Sequence, residues 1–299
     1  VWDRGEAFAL LSATILNKEA FCRQVGLDPD RVALVDVEHT FPVENRPLYD
    51  GTQGKMTYEH RGETLPKIAR LIVRLMAHHP DEKGLVHAHS YAIAEELADR
   101  LAEFGVGSRV RTHTKASRDD ELTAWKASDD PEVFIAVKME EALDLNGDLA
   151  RWQVLCKAPY LNTNDSRVAR RLEDDQWAWY HRTALRTVIQ ACGRVVRAPD
   201  DYGATYLADS SLLDLFDRAA ADMPPWFREQ VDRCSQPTLP AFDPAAAVAG
   251  IDGSAGTGSR QRSVTQHRNE SASSSGQTRT DADADQRADH PLSDVWGDG

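Results

Sequence analysis

The segment with the clearest chemical potential covers residues 190–197, which read QACGRVVR. If this segment is helical, Gln190, Arg194 and Arg197 recur at i, i+4 and i+7 and therefore share one face. Arginine presents a planar fork of permanently charged donors, which suits phosphate oxygens better than lysine does. Gly193 removes a side chain beside these arginines and would let a ligand or another backbone approach closely. The pattern predicts polyphosphate recognition, and the alternative is a solvated basic helix face with salt bridges.

Four further polar residues could extend or compete with this site. Arg182 and Arg186 would continue the basic stripe one and two helical turns earlier. His87 and His89 lie two residues apart on a predicted strand, so they share a face and could bind a metal ion. No third ligand is spaced nearby, which argues against a metal site.

Two other patterns admit both a functional and a structural interpretation. Trp177, Trp179 and Tyr180 could stack on nucleic-acid bases, or they could be core contacts of a long helix. The segment 51–56, GTQGKM, approaches a phosphate-binding loop, but its spacing is too short. Met56 also stands where a hydroxyl would have to hold magnesium, so this segment is rejected as a P-loop.

Strand-like and helical segments alternate along the chain. Short apolar, β-rich runs predict strands at 32–35, 85–88, 109–112, 133–137, 153–156 and 204–208. Apolar residues at helical spacing predict helices at 65–78, 91–104 and 167–196. Such alternation is typical of a parallel sheet that is covered by helices on both faces.

Five blocks, taken together, resemble the motifs of XPD/DinG-type superfamily 2 helicases. Residues 190–197, followed by Asp-Tyr-Gly at 201–203 and by Asp209, resemble motif VI of that family. The other blocks follow in the family's order: Ser-Ala-Thr at 12–14 (motif III), the approach to the second motor domain at 41–47, motif IV at 85–91 and motif V at 140–148. The segment 157–160 stands where the family has its Val-Pro-Tyr strand end. The resemblance covers residues 8–232.

The resemblance implies a RecA-like fold, and it implies roles for particular residues. Arg194, Arg197 and Gln190 would be catalytic, the two arginines acting as arginine fingers on ATP. The residues implied in ATP binding or in coupling are Gly193, Glu141, Asp144 and Thr14. Those implied in contacts with single-stranded DNA are Ser90, Tyr91 and Tyr160.

The parts of a helicase that hold the nucleotide are missing from the sequence. There is no P-loop, and the acidic run at 119–121 opens a helix instead of ending an apolar strand, so it is not a convincing magnesium-binding box. ATP and Mg²⁺ would therefore be held mainly by a first motor domain, supplied in cis or in trans. The cysteines that hold an iron–sulfur cluster in many relatives would also lie upstream, and no such cluster is expected in this chain.

An alternative of another class stays open. The chain could be a non-catalytic nucleic-acid-binding or regulatory protein derived from a helicase domain. Ala142 stands where motif V usually has glycine, and Ser210 and Ser211 follow Asp209 where the family often has arginine. A free-standing Rossmann enzyme is disfavoured because no G-x-G-x-x-G follows a strand.

Bulk properties set the outer limits of this interpretation. The chain has 299 residues and a formal net charge of −13, which opposes nucleic-acid binding unless basic residues are concentrated locally. Four isolated cysteines, no signal peptide and no run of about 18 apolar residues predict a reducing cytoplasm and no membrane span. The predicted organisation is a motif III end or linker at 1–30, a RecA-like domain at 31–235 and a disordered acidic and polar tail at 236–299.

Overall fold

The fold is built on a six-stranded, fully parallel β-sheet. The computed structural model describes residues 5–252, apart from 38, 140–144 and 146. The strands are β1 (Leu48–Asp50), β2 (Gly84–His87), β3 (Val110–Arg111), β4 (Val133–Ala136), β5 (Trp152–Leu155) and β6 (Ala204–Leu207). Their order in the sheet is β1-β6-β5-β2-β4-β3. All carboxyl ends therefore lie at one edge of the sheet, where the loops that follow the strands come together.

Helices cover both faces of this sheet, as predicted for a RecA-like domain. Their bounds are α1 (Lys18–Val25), α2 (Arg61–His78), α3 (Tyr91–Glu103), α4 (Arg118–Ala127), α5 (Ser166–Glu173), α6 (Trp177–Cys192), α7 (Ser211–Arg218), α8 (Pro225–Asp232) and α9 (Pro244–Asp252). Helices α2, α3 and α9 pack with one face. Helices α6, α7 and α8 pack with the opposite face, and Trp125 of α4 packs on that side near β2 and β4. The predicted fold class is confirmed.

The longest helix, α2, shows how the sequence specifies this packing. Leu65, Ile68, Ile72 and Leu75 recur at helical spacing, and each is fully buried against the sheet. Burial of side chains of this size stabilises the fold by about 1.5–3 kcal/mol each. One continuous apolar stripe therefore fixes which face of α2 meets the sheet, and its charged residues are left on the outer face.

The first strand differs from the predicted one. Residues 32–35 form no strand in the structure, and Leu34 and Val35 are largely exposed. The edge strand is instead β1, which pairs with β6. With three residues between Pro47 and Gly51, β1 is too short to show a periodic pattern. The apolar run at 32–35 has the composition of a strand, but it lies beside no strand in the described part of the chain.

The structured region also extends beyond the predicted start of the tail. Residues 236–249, here called the C-terminal strap, run along α2 and place Ala247 in the core. The guanidinium group of Arg109 is fully buried and donates to five backbone carbonyls, which belong to the end of α2, the turn after it, the segment before β4 and Ala247 of the strap. Burial lowers the pKa of Arg109 to about 10, so the group stays charged near neutral pH. The rest of the predicted tail, from residue 253, lies outside the described residues.

The segment before the sheet is sparsely packed. Leu11, Val35 and Val37 are 97%, 82% and 80% exposed, although each is apolar. Two contacts nevertheless fix part of this segment, since Asn17 caps α1 and also donates to Asp222. Within the described residues, no helix combines the length and the apolar character needed to cross a membrane.

Candidate functional site

The segment after α6 carries the two predicted arginine fingers. Helix α6 ends at Cys192, and Gly193 occupies its C-cap, where its N–H donates to Ile189 O at 3.1 Å. Val195 and Val196, beyond the end of the helix, pack in the core beside β2 and β4. The prediction that Gln190, Arg194 and Arg197 share one helix face is therefore wrong. Residues 193–203, here called the arginine turn, carry Arg194 half-buried and Arg197 exposed.

A buried carboxylate fixes the backbone of this turn. Asp201 accepts from the N–H of Arg197 at 3.0 Å and from its neighbour Tyr202 at 3.0 Å. It also forms an ion pair with Arg151, which lies just before β5 and is bound on its other side by the exposed Asp148. The Asp201 side chain is 7% exposed, so this pair is shielded from water. The arginine turn is thereby held at the amino-terminal ends of β5 and β6.

The predicted coupling residue Thr14 meets the predicted catalytic residue Gln190. The Gln190 Nε2 donates to Thr14 Oγ1 at 3.3 Å, and Thr14 is buried. The Gln190 Oε1 is also buried, and no hydrogen-bond partner for it occurs within the described ranges. A contact over 176 positions of sequence thus joins the Ser-Ala-Thr element to the end of α6.

The two arginines of the basic stripe predicted along α6 differ in burial. Arg182 forms an ion pair with Asp222 at 3.0 Å, and both side chains are mostly buried. Asp222 also accepts from Asn17, so Arg182 helps to anchor the N-terminal segment on the domain. Arg186, by contrast, is exposed. Arg182 is therefore occupied by the fold itself.

The carboxyl ends of β2 and β5 carry the residues predicted to touch a DNA strand. Ser90 caps α3 by accepting from Ile93 N at 3.4 Å, so its hydroxyl oxygen already serves the fold. Tyr91 begins α3, is 39% exposed and makes an edge contact with His113 at 5.7 Å. We call Ser90, Tyr91 and Tyr160, with the loops that carry them, the strand edge.

Tyr160 is held more firmly than Tyr91. Its ring stacks on Tyr180 at 5.1 Å, and Tyr180 in turn donates to Leu161 O at 3.0 Å. Burial raises the pKa of Tyr160 to about 12, so its hydroxyl is protonated near neutral pH. Asp209 is 1% exposed and accepts from the backbone N–H of Ala158 at 2.8 Å, which fixes the loop that leads to Tyr160.

The aromatic residues of α6 that could have stacked on bases are largely occupied. Tyr180 is buried beneath Tyr160. Trp177 packs against the rings of Tyr180 and His181, and Trp179 lies 4.4 Å from the guanidinium of Arg171. The structural interpretation of these aromatics is thus the one that their contacts favour.

A buried polar network joins the end of β2, which leads to the strand edge, to the end of α6, which leads to the arginine turn. The amide of Gln153, in the middle of β5, donates to Ala191 O at 3.0 Å and to Thr205 Oγ1 at 2.8 Å. Its oxygen lies 3.0 Å from Nε2 of His87, at the end of β2. Gln153 therefore connects the strand that leads to Ser90 with the last turn of α6. The sequence interpretation missed it, although one glutamine inside the apolar run WQVLC was a visible signal.

Backbone strain coincides with three of these segments. Leu16, His89 and Lys138 have positive φ angles of 59°, 66° and 53°. Leu16 lies two residues after Thr14, and His89 directly precedes Ser90. Lys138 lies two residues after the end of β4. Conformations of this kind cost about 1–3 kcal/mol each and concentrate at binding and switch regions. They support a functional interpretation of these loops.

Two further candidate features are the metal site at His87 and the coupling residues of motif V. No group of three or more potential ligands that could hold a metal ion occurs among the described residues. His87 binds Gln153, so its ring serves the network. Glu141 and Asp144, the predicted coupling residues of motif V, lie outside the described residues.

Comparison with known proteins adds an independent observation. A family model described as the helicase C-terminal domain matches residues 72–230. The chain is 26% identical to regulator of telomere elongation helicase 1 of Homo sapiens, over 68% of this chain and 20% of that protein. It is 27% identical to the ATP-dependent DNA helicase chl-1 of Caenorhabditis elegans, over 61% of this chain and 24% of that protein.

Solved structures resemble the chain more distantly. The structure of S. tokodaii Xpd4 is 18% identical, with a TM-score of 0.45, and the match covers 65% of this chain and 38% of that one. The chain spans about a fifth to a quarter of the length of the two curated relatives named above.

Proposed function

The chain belongs to the helicase C-terminal domain family, and from that premise we propose that it is the second motor domain of an ATP-dependent DNA helicase. It would close on ATP held by a first motor domain and would form part of the track for a single DNA strand. The observation that carries the proposal is the hydrogen bond between Gln190 and Thr14, because it joins the two elements expected to meet at the nucleotide.

Arg194 and Arg197 would supply positive charge to the phosphates of ATP. Forked guanidinium donors fit phosphate oxygens, and such donors stabilise the charge that develops in phosphoryl transfer. Asp201 holds the backbone of Arg197 in place, and the side chain of Arg197 is exposed. In this proposal, ATP and Mg²⁺ are held mainly by the first motor domain.

The N-terminal segment would dock on that first motor domain. Leu11, Val35 and Val37 expose large apolar side chains, and such groups usually gather where a partner covers them. Thr14 follows Leu11 by three residues and binds Gln190, so docking of this segment would reach the end of α6, directly before the arginine turn. Gly193, Glu141 and Asp144 would complete the coupling between nucleotide and DNA.

The strand edge would contact single-stranded DNA. Tyr91 offers an exposed ring to a base, and loops at the carboxyl end of a parallel sheet are the common place for ligands. The buried link through Gln153 would carry the state of this edge to the end of α6.

The test supplies the missing partner. The first motor domain, taken from a relative or from coding sequence upstream, is titrated into the purified 299-residue chain, and DNA-stimulated ATP hydrolysis is measured. We expect negligible hydrolysis by either part alone and a saturable rise for the mixture. Hydrolysis of ATP by this chain alone, abolished by Arg194→Ala, would contradict the proposal that a first motor domain holds the ATP. Single-stranded DNA binding without hydrolysis in any mixture would favour the non-catalytic alternative.

A further inference from the structure

A groove runs between the outer face of α2 and the C-terminal strap, on the side of the sheet away from the arginine turn. Its volume is about 310 Å³. The residues that line it are Gln53, Lys67, Arg70, Leu71, Arg74, Ala241 and Phe242. Three of the seven are cations, and none is acidic.

This charge balance departs sharply from that of the whole chain. The protein has 48 acidic residues and a net charge of −13, yet no acidic residue occurs between Glu63 and Asp81. Lys67, Arg70 and Arg74 recur at i, i+3 and i+7 on one face of α2 and span about 10 Å of helix axis. None of the ion pairs within the described ranges involves these three side chains. The groove is therefore a local positive row on an acidic protein.

The strap holds two of the three cations in place. The guanidinium of Arg70 lies 3.9 Å from the ring centroid of Phe242. Arg74 donates from Nε to Pro240 O at 2.7 Å and from Nη2 to Leu239 O at 3.1 Å. A guanidinium has five N–H donors, so three donors of Arg74 remain for a ligand. Donors fixed in this way lose little side-chain entropy when they bind.

One end of the groove opens at the edge where the DNA strand is proposed to pass. The backbone N–H of Gln53 donates at 2.9 Å to the carbonyl of Ala208, directly after β6. Because β1 is the outermost strand on this side, a strand that crosses the carboxyl ends of the sheet towards β1 arrives at Gln53. Lys67, Arg70 and Arg74 then continue that course along α2.

We propose that this groove binds successive phosphates of a single-stranded nucleic acid as the strand leaves the sheet edge. The proposal rests on the proposed function, since it extends the same strand track. A row about 10 Å long suits several phosphates in sequence better than one isolated anion. The match to the helicase C-terminal domain covers residues 72–230, so Arg74 is the one lining residue of the groove that lies inside it.

The experiment measures binding of fluorescein-labelled oligothymidylate by the whole chain, from fluorescence anisotropy at several salt concentrations. The variants are Lys67→Glu and Arg70→Glu. Arg74 is left intact because it anchors the strap. The matched control is Arg23→Glu, which makes the same charge change at an exposed position of α1. Circular dichroism and thermal unfolding check that each variant is folded.

On a single strand, each phosphate contact contributes about −0.7 to the log–log salt slope, so one lost contact weakens binding about fivefold at roughly 0.1 M salt. We expect at least this loss, with a shallower salt slope, for each groove variant and no comparable change for Arg23→Glu. Equal losses in all three variants would overturn the proposal, because they would report net charge alone. Competition by pyrophosphate at concentrations that match the oligonucleotide would also overturn it, since a single-anion site would then be present.

A fourth variant separates this inference from the function on which it rests. If the wild-type chain binds oligothymidylate and Tyr91→Ala weakens it while the groove variants do not, the groove proposal alone is wrong. If the wild-type chain shows no binding at low salt, the proposed strand track itself fails, and the groove proposal fails with it.

Discussion

The strand edge differs from the arginine turn and the adjoining end of α6 in how its polar groups are bound. At the strand edge, the Ser90 hydroxyl caps a helix, Tyr160 stacks on Tyr180, and Asp209 fixes the loop that leads to Tyr160. At the arginine turn, Asp201 fixes the backbone and the side chain of Arg197 is exposed. In the last turn of α6, directly before it, the buried Gln190 Oε1 has no hydrogen-bond partner in the described part of the chain. In the proposed function, a second domain would complete the site at the arginine turn, whereas the residues of the strand edge all belong to this chain.

The largest effect on stability is expected at the carboxylate that fixes the arginine turn. Asp201→Ala leaves Arg151 without its buried partner and removes the acceptor for the N–H of Arg197. We expect a loss of about 2–3 kcal/mol in the free energy of unfolding, because Arg151 retains some access to solvent. Unfolding in urea measures this change in the free energy of unfolding.

Asp148→Ala is the matched control, since Asp148 binds the same Arg151 but its side chain is 66% exposed. Its removal should cost less than about 1 kcal/mol. Equal losses in the two variants would mean that the buried pair does not fix the turn.

A second variant addresses the link between the two regions. Gln153→Leu removes the amide that joins His87 to Ala191 O, and it also removes the hydrogen bond that the buried Thr205 Oγ1 accepts from that amide. We expect about 1–3 kcal/mol of destabilisation. With the first motor domain supplied, the stimulation of ATP hydrolysis by DNA should fall while the affinity for DNA is retained. Unchanged stimulation in a folded variant would show that coupling does not run through Gln153.

The strand edge should bind DNA without any partner domain. Tyr91→Ala removes an exposed ring, and base stacking on such a ring is worth about 1–3 kcal/mol. The affinity for oligothymidylate should therefore fall about fivefold or more. Tyr91→Phe keeps the ring and should bind as the wild type does. A loss of the same size for phenylalanine would instead assign the contact to the hydroxyl group.

The smallest effect on stability is expected at Gly193. Its φ angle is −77°, and an added Cβ would meet only Ile189 O at 3.6 Å and Gln190 O at 3.7 Å. Gly193→Ala should therefore change the free energy of unfolding by less than about 0.5 kcal/mol. If the variant is stable but ATP hydrolysis with the supplied domain falls, Gly193 is needed so that a ligand can approach closely. If the variant is destabilised, Gly193 has a structural role instead.

The comparison also shows what the sequence could reveal. Five of the six strands and the helices α2 and α3 were predictable, because apolar periodicity is a local property. The helix end at Cys192 was misjudged because the burial of Val195 and Val196 depends on the sheet. The Gln190–Thr14 contact and the strap on α2 join residues more than 160 positions apart, so no local pattern predicts them.

The central claim is that Arg194 and Arg197 act on ATP that another domain holds. The direct measurement supplies the first motor domain, substitutes Arg194→Ala and Arg197→Ala singly, and records ATP turnover and single-stranded DNA affinity for each variant. Arg186→Ala, an exposed arginine of the preceding helix, is the matched control. The account predicts that each finger variant loses roughly 10³-fold or more in turnover with DNA affinity little changed. Loss of DNA affinity in proportion to turnover would contradict it and would assign these arginines to the strand track.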